Sequence, residues 1–490
     1  PPELAVDPTG PALMIFAALP WVLAGGLLGP LPAAGLALLS GLLQAFWDSH
    51  SLFLALELAV LAVIFSLAVK QRYRTPTFRW LRSPLAAAGL VILAYVLIDL
   101  LIRPMSVNGQ AASRLDYTLT NLPVNTLAIG IEMLVAGLVA QLVAHWLPNS
   151  WGNSSPLLPS PAERSLRMRF LMGMAPLGLI AIVTLMVGDW LAAGWAARDM
   201  LQGRMSNAAS LAVENIPYFL ETGQNLISQL AADPRLLSND SNQLMKTLAE
   251  DIRLVPFFTQ ITLLDKNSQV LASYPTADFV GPQAPIEEIT GIQIAVNHGV
   301  PVQTFTIQPS PGQTTAQVSF VAIVTDATQN VKAVLVGRSD LSFNPFTRPI
   351  IHSLESLTQD GGIGMLLDED NRILIHPDPD RLMTRYDGPT PEQPQLVDDT
   401  APDGTRMLTY FHQAEGRPWS VVLSVPARQA QQYAINIAAP LLAIVLLISL
   451  IGFLILRVGL QVVTASLQNL THEADQLAQV RETFRALAAG

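Results

Sequence analysis

Hydrophobic positions dominate two stretches of the chain and alternate with polar ones in the region between. Long apolar runs occupy about 11–29, 31–47, 51–69, 85–102, 122–146 and 170–190, and a seventh run, Ala434 to Leu456, carries no charge until Arg457. A helix needs roughly 20 apolar residues to cross the hydrocarbon core of a bilayer. The pattern therefore predicts a membrane α-helical bundle of about six spans over 1–192 and a further membrane helix over 434–456. Pro20, Gly25, Gly26, Gly29, Pro30 and Pro32 leave two forms open for 11–47: two full spans or a tight re-entrant hairpin.

Between these blocks the periodicity changes twice. Ala208, Leu211, Asn215, Phe219, Gly223, Leu226 and Leu230 recur at steps of three and four, which predicts a long helix over 193–232 with a kink at Pro217. A second helix is expected over 241–254. Past Pro256, runs rich in β-branched residues predict strands at 259–264, 269–273, 301–307, 315–325, 331–338, 363–367, 373–376, 405–411 and 419–425. ITLL-DKNS-QVLAS and GMLL-DEDN-RILI repeat one scheme of strand, acidic turn, strand, so 193–433 reads as two similar α/β units in tandem.

Basic residues fix an orientation. Lys70, Arg72, Arg74, Arg79 and Arg82 fall in one loop, and Arg164, Arg167 and Arg169 in another. Positive loops stay on the cytoplasmic side. The loop 104–120, with one Arg and one Asp, is then outside, as is 193–433, and the tail 457–490 is cytoplasmic. This is a multi-pass protein of the cell (inner) membrane in contact with membrane lipid. The chain has 490 residues, a net charge of −10 and no cysteine, which excludes disulfides and thiolate chemistry. Residues 193–433 hold 26 acidic and 15 basic side chains, a net of −11 (15 − 26). An acidic exposed domain argues against nucleic acid as its partner.

The order of a long helix, ITLLDKNSQVLASYP, GMLLDEDNRILIHPD and then RPWSVVLSVP running into a membrane helix resembles the double Cache domain of bacterial transmembrane receptors, a pair of PAS-like modules. The resemblance covers 193–433 and implies an extracytoplasmic α+β sensor domain. It implies a small-molecule ligand in the membrane-distal module, about 256–341, and a relay role for the proximal module, about 350–427. Asp340 in GRSDLSF matches the family's ligand-facing Asp, where it would meet a ligand ammonium group, with Arg338 and Tyr274 as further ligand-binding candidates. The Arg-x-Trp-Tyr motif of amino-acid-binding members is missing, and 256–341 contains no Trp. The alternative for Asp340 is a cap on the turn into LSFNPF.

No catalytic residue, metal site or cofactor is expected. The seven His are scattered, and no Walker loop, dinucleotide fingerprint or nucleophile elbow is present. His376, Asp378 and Asp380 alternate with prolines, and Asp in such a turn bonds its own backbone. Asp368, Glu369 and Asp370 read as a solvated hairpin turn. Within the spans, Glu57, Asp99, Arg103 and Glu132 are the polar candidates, with Asp99 and Arg103 one helical turn apart and able to pair. They serve either bundle packing or sensing. Past Arg457, a heptad of Val463, Leu467, Leu470, Ala474, Leu477 and Phe484, with Arg481 and Ala488 at the two remaining core positions, predicts a parallel coiled coil and hence a homodimer. SLQNLTHEADQLAQ resembles the first helix of a HAMP linker. That resemblance implies a cytoplasmic signalling partner or an output domain outside this chain, such as a histidine kinase or cyclic-nucleotide enzyme. The expected function is transmembrane signal transduction. The alternatives are a transporter or enzyme regulated by the outer domain, and an assembly protein that binds a protein partner.

Overall fold

The computed structural model describes residues 14–46, 52–107, 111–152, 156–164, 166–254, 256–275, 286–309, 314–401, 404–416 and 418–488. The chain divides into two compact units, Pro1–Trp195 with Gln431–Gly490, and Ala196–Ala430.

The first unit is helical. It contains α1 (Leu19–Leu27), α2 (Pro30–Gln44), α3 (Phe53–Lys70), α4 (Pro76–Leu81), α5 (Pro84–Ser106), α6 (Ala111–Trp146), α7 (Pro161–Arg164) and the first part of α8 (Leu166–Ala231). Most of α12 (Ala427–Ala488) belongs to it as well. Among the described residues five helices are long and apolar enough to cross a membrane: α3, α5, α6, the Pro176–Ala231 part of α8 and the Ala427–Val463 part of α12. The two segments whose form the prolines left open are short, 9 and 15 residues in α1 and α2. The six expected spans before residue 193 thus resolve into four long helices and a short pair. Small residues let the second of the pair, α2, pack closely on α3. A Cβ on Gly41 would lie 3.0 Å from the Ala55 amide nitrogen, and Ala33, Ala37, Leu58, Leu61 and Phe65 are fully buried. The expected loop 104–120 is corrected. α5 continues to Ser106 and α6 begins at Ala111, because AASRLDYTLTN is polar yet contains no helix breaker. The heptad lies on α12, and its side chains from Leu467 onward fall outside the described residues.

The second unit is built on the C-terminal part of α8, which is helical on both sides of Pro217. α9 (Ser241–Leu254) follows, and then two five-stranded antiparallel sheets. The first contains β1 (Gln260–Leu264), β2 (Val270–Tyr274), β3 (Val302–Ile307), β4 (Gln317–Thr325) and β5 (Val331–Asp340) in the order β2-β1-β5-β4-β3. The second contains β6 (Ile363–Leu367), β7 (Ile373–Ile375), β8 (Gln395–Thr400), β9 (Arg406–Gln413) and β10 (Ser420–Pro426) in the order β7-β6-β10-β9-β8. The strand order is the same in both sheets, so the repeat legible in the two acidic hairpins extends to the whole topology.

One face of the first sheet packs on α8 through Phe219, Phe257, Phe258 and Phe320, whose rings stack or meet edge to face. The other face carries Leu264, Val321, Val334 and Val336 beneath Ile292 and Ala295 of α10 (Ile286–His298). A third helix, α11 (Arg348–Glu355), leads into the second sheet. Tyr410 of β9 donates a hydrogen bond to Ser206 of α8 (3.0 Å), and Arg204 pairs with Asp360 (2.8 Å).

The two sheets interlock, which corrects the expectation of a solvated turn at Asp368. Its carboxylate is fully buried and accepts from Thr306 of β3 (2.7 Å) and from the Arg372 guanidinium (2.8 Å). Arg372 also donates to the Thr306 hydroxyl (2.8 Å), and the Ala316 amide donates to the Leu374 carbonyl (2.9 Å). Glu369 accepts from the Trp419 indole (3.0 Å), and of the three acids Glu369 and Asp370 are exposed.

Candidate ligand-binding site

β5 ends in Gly337-Arg338-Ser339-Asp340, and strand alternation puts Arg338 and Asp340 on one face. Register extends that face across the sheet. Arg338 lies opposite Gln260 of β1 and Ser319 of β4, and Asp340 lies opposite Gln317. Thr262 and Ser273 continue it on β1 and β2. This is the face that α10 covers with apolar side chains at its other end. The α10 face is therefore greasy over Val321 and Val336 and polar over Arg338 and Asp340. Tyr274 pairs with Ile261, whose own partner is Gly337, so alternation places Tyr274 on the opposite, α8-side face. The structure brings two of the three expected ligand residues together and sets the third apart from them.

The polar end is largely buried and mostly self-satisfied. Glu288 of α10 is fully buried and holds Arg338 in a two-pronged ion pair, Nε to Oε1 at 2.6 Å and Nη2 to Oε2 at 2.5 Å. Arg338 also donates to Gln260 (3.1 Å), Gln260 donates to Ser273 (3.1 Å), and the Thr262 and Ser273 hydroxyls are 2.9 Å apart. The guanidinium charge is thus matched within the protein, which removes Arg338 as a free anchor for a ligand carboxylate.

Asp340 is different. Its Oδ1 accepts from the Thr315 hydroxyl (2.9 Å) and from the Ser342 amide (2.7 Å) and hydroxyl (2.6 Å), which is the cap on the turn into Leu341–Asn344. Among the described residues its Oδ2 has no hydrogen-bond partner and is shielded from solvent, and the same holds for the Ser319 hydroxyl. An unpaired buried carboxylate oxygen is costly, on the order of 1–3 kcal/mol or more. An ammonium or amide N–H entering this face would relieve that cost. Glu288 and Ser319 were not legible as site residues. Glu288 depends on α10, whose IEEITGIQIAVNH carries β-branched residues and a glycine and gives a weak helical signal. Ser319 could be found only from the β4–β5 register.

The remaining candidates are accounted for locally. Asp378 accepts from the Asp380 amide (3.1 Å), and the His376 ring accepts from the Asp378 amide (2.9 Å), as a proline-flanked turn requires. In the helical unit Arg103 and Asp99 pair at 2.7 Å, and the Tyr95 hydroxyl lies 3.4 Å from the same carboxylate oxygen. Glu57 is buried with Oε1 unpartnered among the described residues, and Glu132 accepts from the Met14 amide (3.0 Å).

No protein-family model matches the chain, and no curated protein matches it. Solved structures do. The ligand-binding domain of the Pseudomonas aeruginosa amino acid chemoreceptor PctC in complex with GABA is 18% identical over 46% of this chain and 100% of that one, with a TM-score of 0.36. The ligand-binding domain of the Pseudomonas fluorescens chemoreceptor CtaA in complex with L-isoleucine is 21% identical over 48% and 97%, with a TM-score of 0.36. The sensor domain of the V. cholerae histidine kinase DctB is 13% identical over 46% and 98%, with a TM-score of 0.37.

Proposed function

We propose that this chain is a membrane receptor whose first module, on the α10 face of the first sheet, takes up a small molecule bearing an ammonium group. One observation carries the proposal: among the described residues the buried Asp340 carboxylate has an oxygen without a partner, and the Ser319 hydroxyl on the same face of the sheet is equally unpartnered. The ligand ammonium pairs with Asp340 and hydrogen-bonds to Ser319, while the Arg338–Glu288 pair acts as a rigid wall. The module is extracytoplasmic, the second sheet relays occupancy, and α12 carries the change to a cytoplasmic output in a homodimer. The ligand can shift that equilibrium only by its differential affinity for the two receptor states.

The test is thermal unfolding of the full chain in lipid nanodiscs against amines and amino acids, each paired with its amine-free analogue. A ligand at 100 times its Kd adds about 2.7 kcal/mol to the stability of the folded state. Stabilisation is expected from the amines alone. Asp340→Asn keeps the capping oxygen and removes the charge, so it should weaken binding about 10- to 100-fold. Equal stabilisation by amine-free analogues, or full retention in D340N, would overturn the proposal.

A further inference from the structure

The second sheet holds a cavity on the face that corresponds to the polar end of the first. β1 corresponds to β6 and β5 to β10, and the pairs Leu264–Val334 and Leu367–Ser420 align the registers. Counting from them, Ser424 takes the place of Arg338, and through the β4 and β9 pairings Thr409 takes the place of Ser319. The first sheet covers this face with α10. In the second, the connection from β7 to β8 contains only a three-residue turn of helix, Pro379–Arg381, among the described residues. A cavity of about 480 Å³ remains beneath it. That is within the range of small-molecule sites, about 300–1,000 Å³.

Its floor is apolar. Ile363, Met365, Ile373 and Met407 line it, and Met365 and Ile373 continue into a core cluster with Phe411 and Val422. At the base the Thr409 and Ser424 hydroxyls satisfy each other at 2.9 Å. The mouth is charged. Asp378 and Asp399 each already accept a backbone N–H, from Asp380 (3.1 Å) and Thr400 (2.7 Å), and Asp387 is the remaining acid of the lining. Arg381 and Arg385 also line the cavity, and neither guanidinium has a carboxylate within ion-pair distance among the described residues. Two forked donors above a greasy floor suit a planar anionic head on an apolar body.

We propose that the second module carries its own ligand site, for a small carboxylate with an apolar body. The carboxylate bonds to Arg381 and Arg385, and the body lies on Ile363, Met365 and Met407. The site is distinct from Asp340 in position and opposite in charge preference.

The test is ¹⁹F NMR on the full chain in nanodiscs with 4-fluorobenzoate, 4-fluorophenylacetate and 6-fluorohexanoate, each beside its matched amine and alcohol. Broadening and saturable binding are expected for acids over their amines and alcohols. The exposed pair R381Q/R385Q should weaken the acids by about tenfold or more, since both charge-assisted bonds are lost, and leave the alcohols unchanged. M365W, which fills the floor, should abolish binding, and D340N should leave it intact. Amines or alcohols binding as well as the acids would overturn the proposal. So would acid binding indifferent to R381Q/R385Q, or no saturable binding by any probe.

Discussion

Asp265, Asp326 and Asp368 open three hairpins of one design. In each, Oδ1 accepts the amides two and four residues on: Asn267 and Gln269, Thr328 and Asn330, Asp370 and Arg372. Each turn then passes a residue at positive φ, Ser268 (64°), Gln329 (62°) or Asn371 (59°). The turn chemistry was legible from the acidic spacing, but the fate of the second oxygen was not, since it depends on what the fold brings over the turn. For Asp368 that is Thr306, 62 residues away. Asp265→Ala should therefore cost about 1 kcal/mol of local stability, and Asp368→Ala about 3 kcal/mol, because the latter strands Thr306 and Arg372. Hydrogen exchange at the flanking strand amides reads both. Asp326 and a fourth aspartate, Asp251, give opposite pH dependences. Asp326 is held below the usual range, first by the Thr328 hydroxyl and then by the Asn330 amide. Its contribution is present above the ordinary value of 3.8 and fades as pH falls toward the lower folded value. Asp251 is pushed up, first by burial and then by Asp233, so its ionised form costs stability as pH rises through 3.8. Asp326→Asn should flatten the acid limb of a stability profile. Asp251→Asn should stabilise at neutral pH, with no gain below the ordinary value.

At the scale of elements, the strands and α9 were legible because their periodicity and turns agree with the burial they meet. β8 was missed because QLVDDT is half polar, as an edge strand can be. The α8–sheet contact was only partly legible. Gly223 fits the helical stripe, but its smallness has a cause in another element. A Cβ there would lie 2.8 Å from the Phe257 ring and overlap Phe320. Alanine normally favours a helix over glycine by about 1 kcal/mol. Overpacking a well-filled core costs about 1–3 kcal/mol. The Cβ would overlap both rings, so the upper part of that range applies, packing wins, and Gly223→Ala should destabilise by up to about 2 kcal/mol net. Gly203 sits on the same helix, where an added Cβ would meet nothing within 4 Å, and Gly203→Ala should stabilise by about 1 kcal/mol. Opposite signs from one substitution in one helix, read by hydrogen exchange of α8, would locate the sheet contact at Gly223. Equal signs would remove it.

At the scale of the molecule, a repeat of two hairpins grew into two sheets of identical order, and the same position in each became different chemistry. Arg338 and Ser319 in one sheet are Ser424 and Thr409 in the other. Occupancy of one module can bias the other through α8 or across the contacts between the sheets. Among the described residues the contacts between the sheets include Thr306 to Asp368 and Arg372, the Ala316 amide to the Leu374 carbonyl, and the bridge between Thr315 and Ile375. Thr315 also donates to Asp340, so the crossing reaches the candidate ligand carboxylate directly. Thr306→Val keeps the shape of the side chain and removes its hydroxyl. It leaves Asp368 with Arg372 and costs about 1 kcal/mol. Its effect should concentrate where the sheets touch: the Ala316 amide should exchange faster, while core amides of β1 and β6 barely change. If the sheets instead communicate through α8 alone, Ala316 exchange will stay as it is in the parent chain and any ligand-induced protection will still reach β9 and β10. A faster Ala316 together with loss of that protection would place the coupling at this crossing.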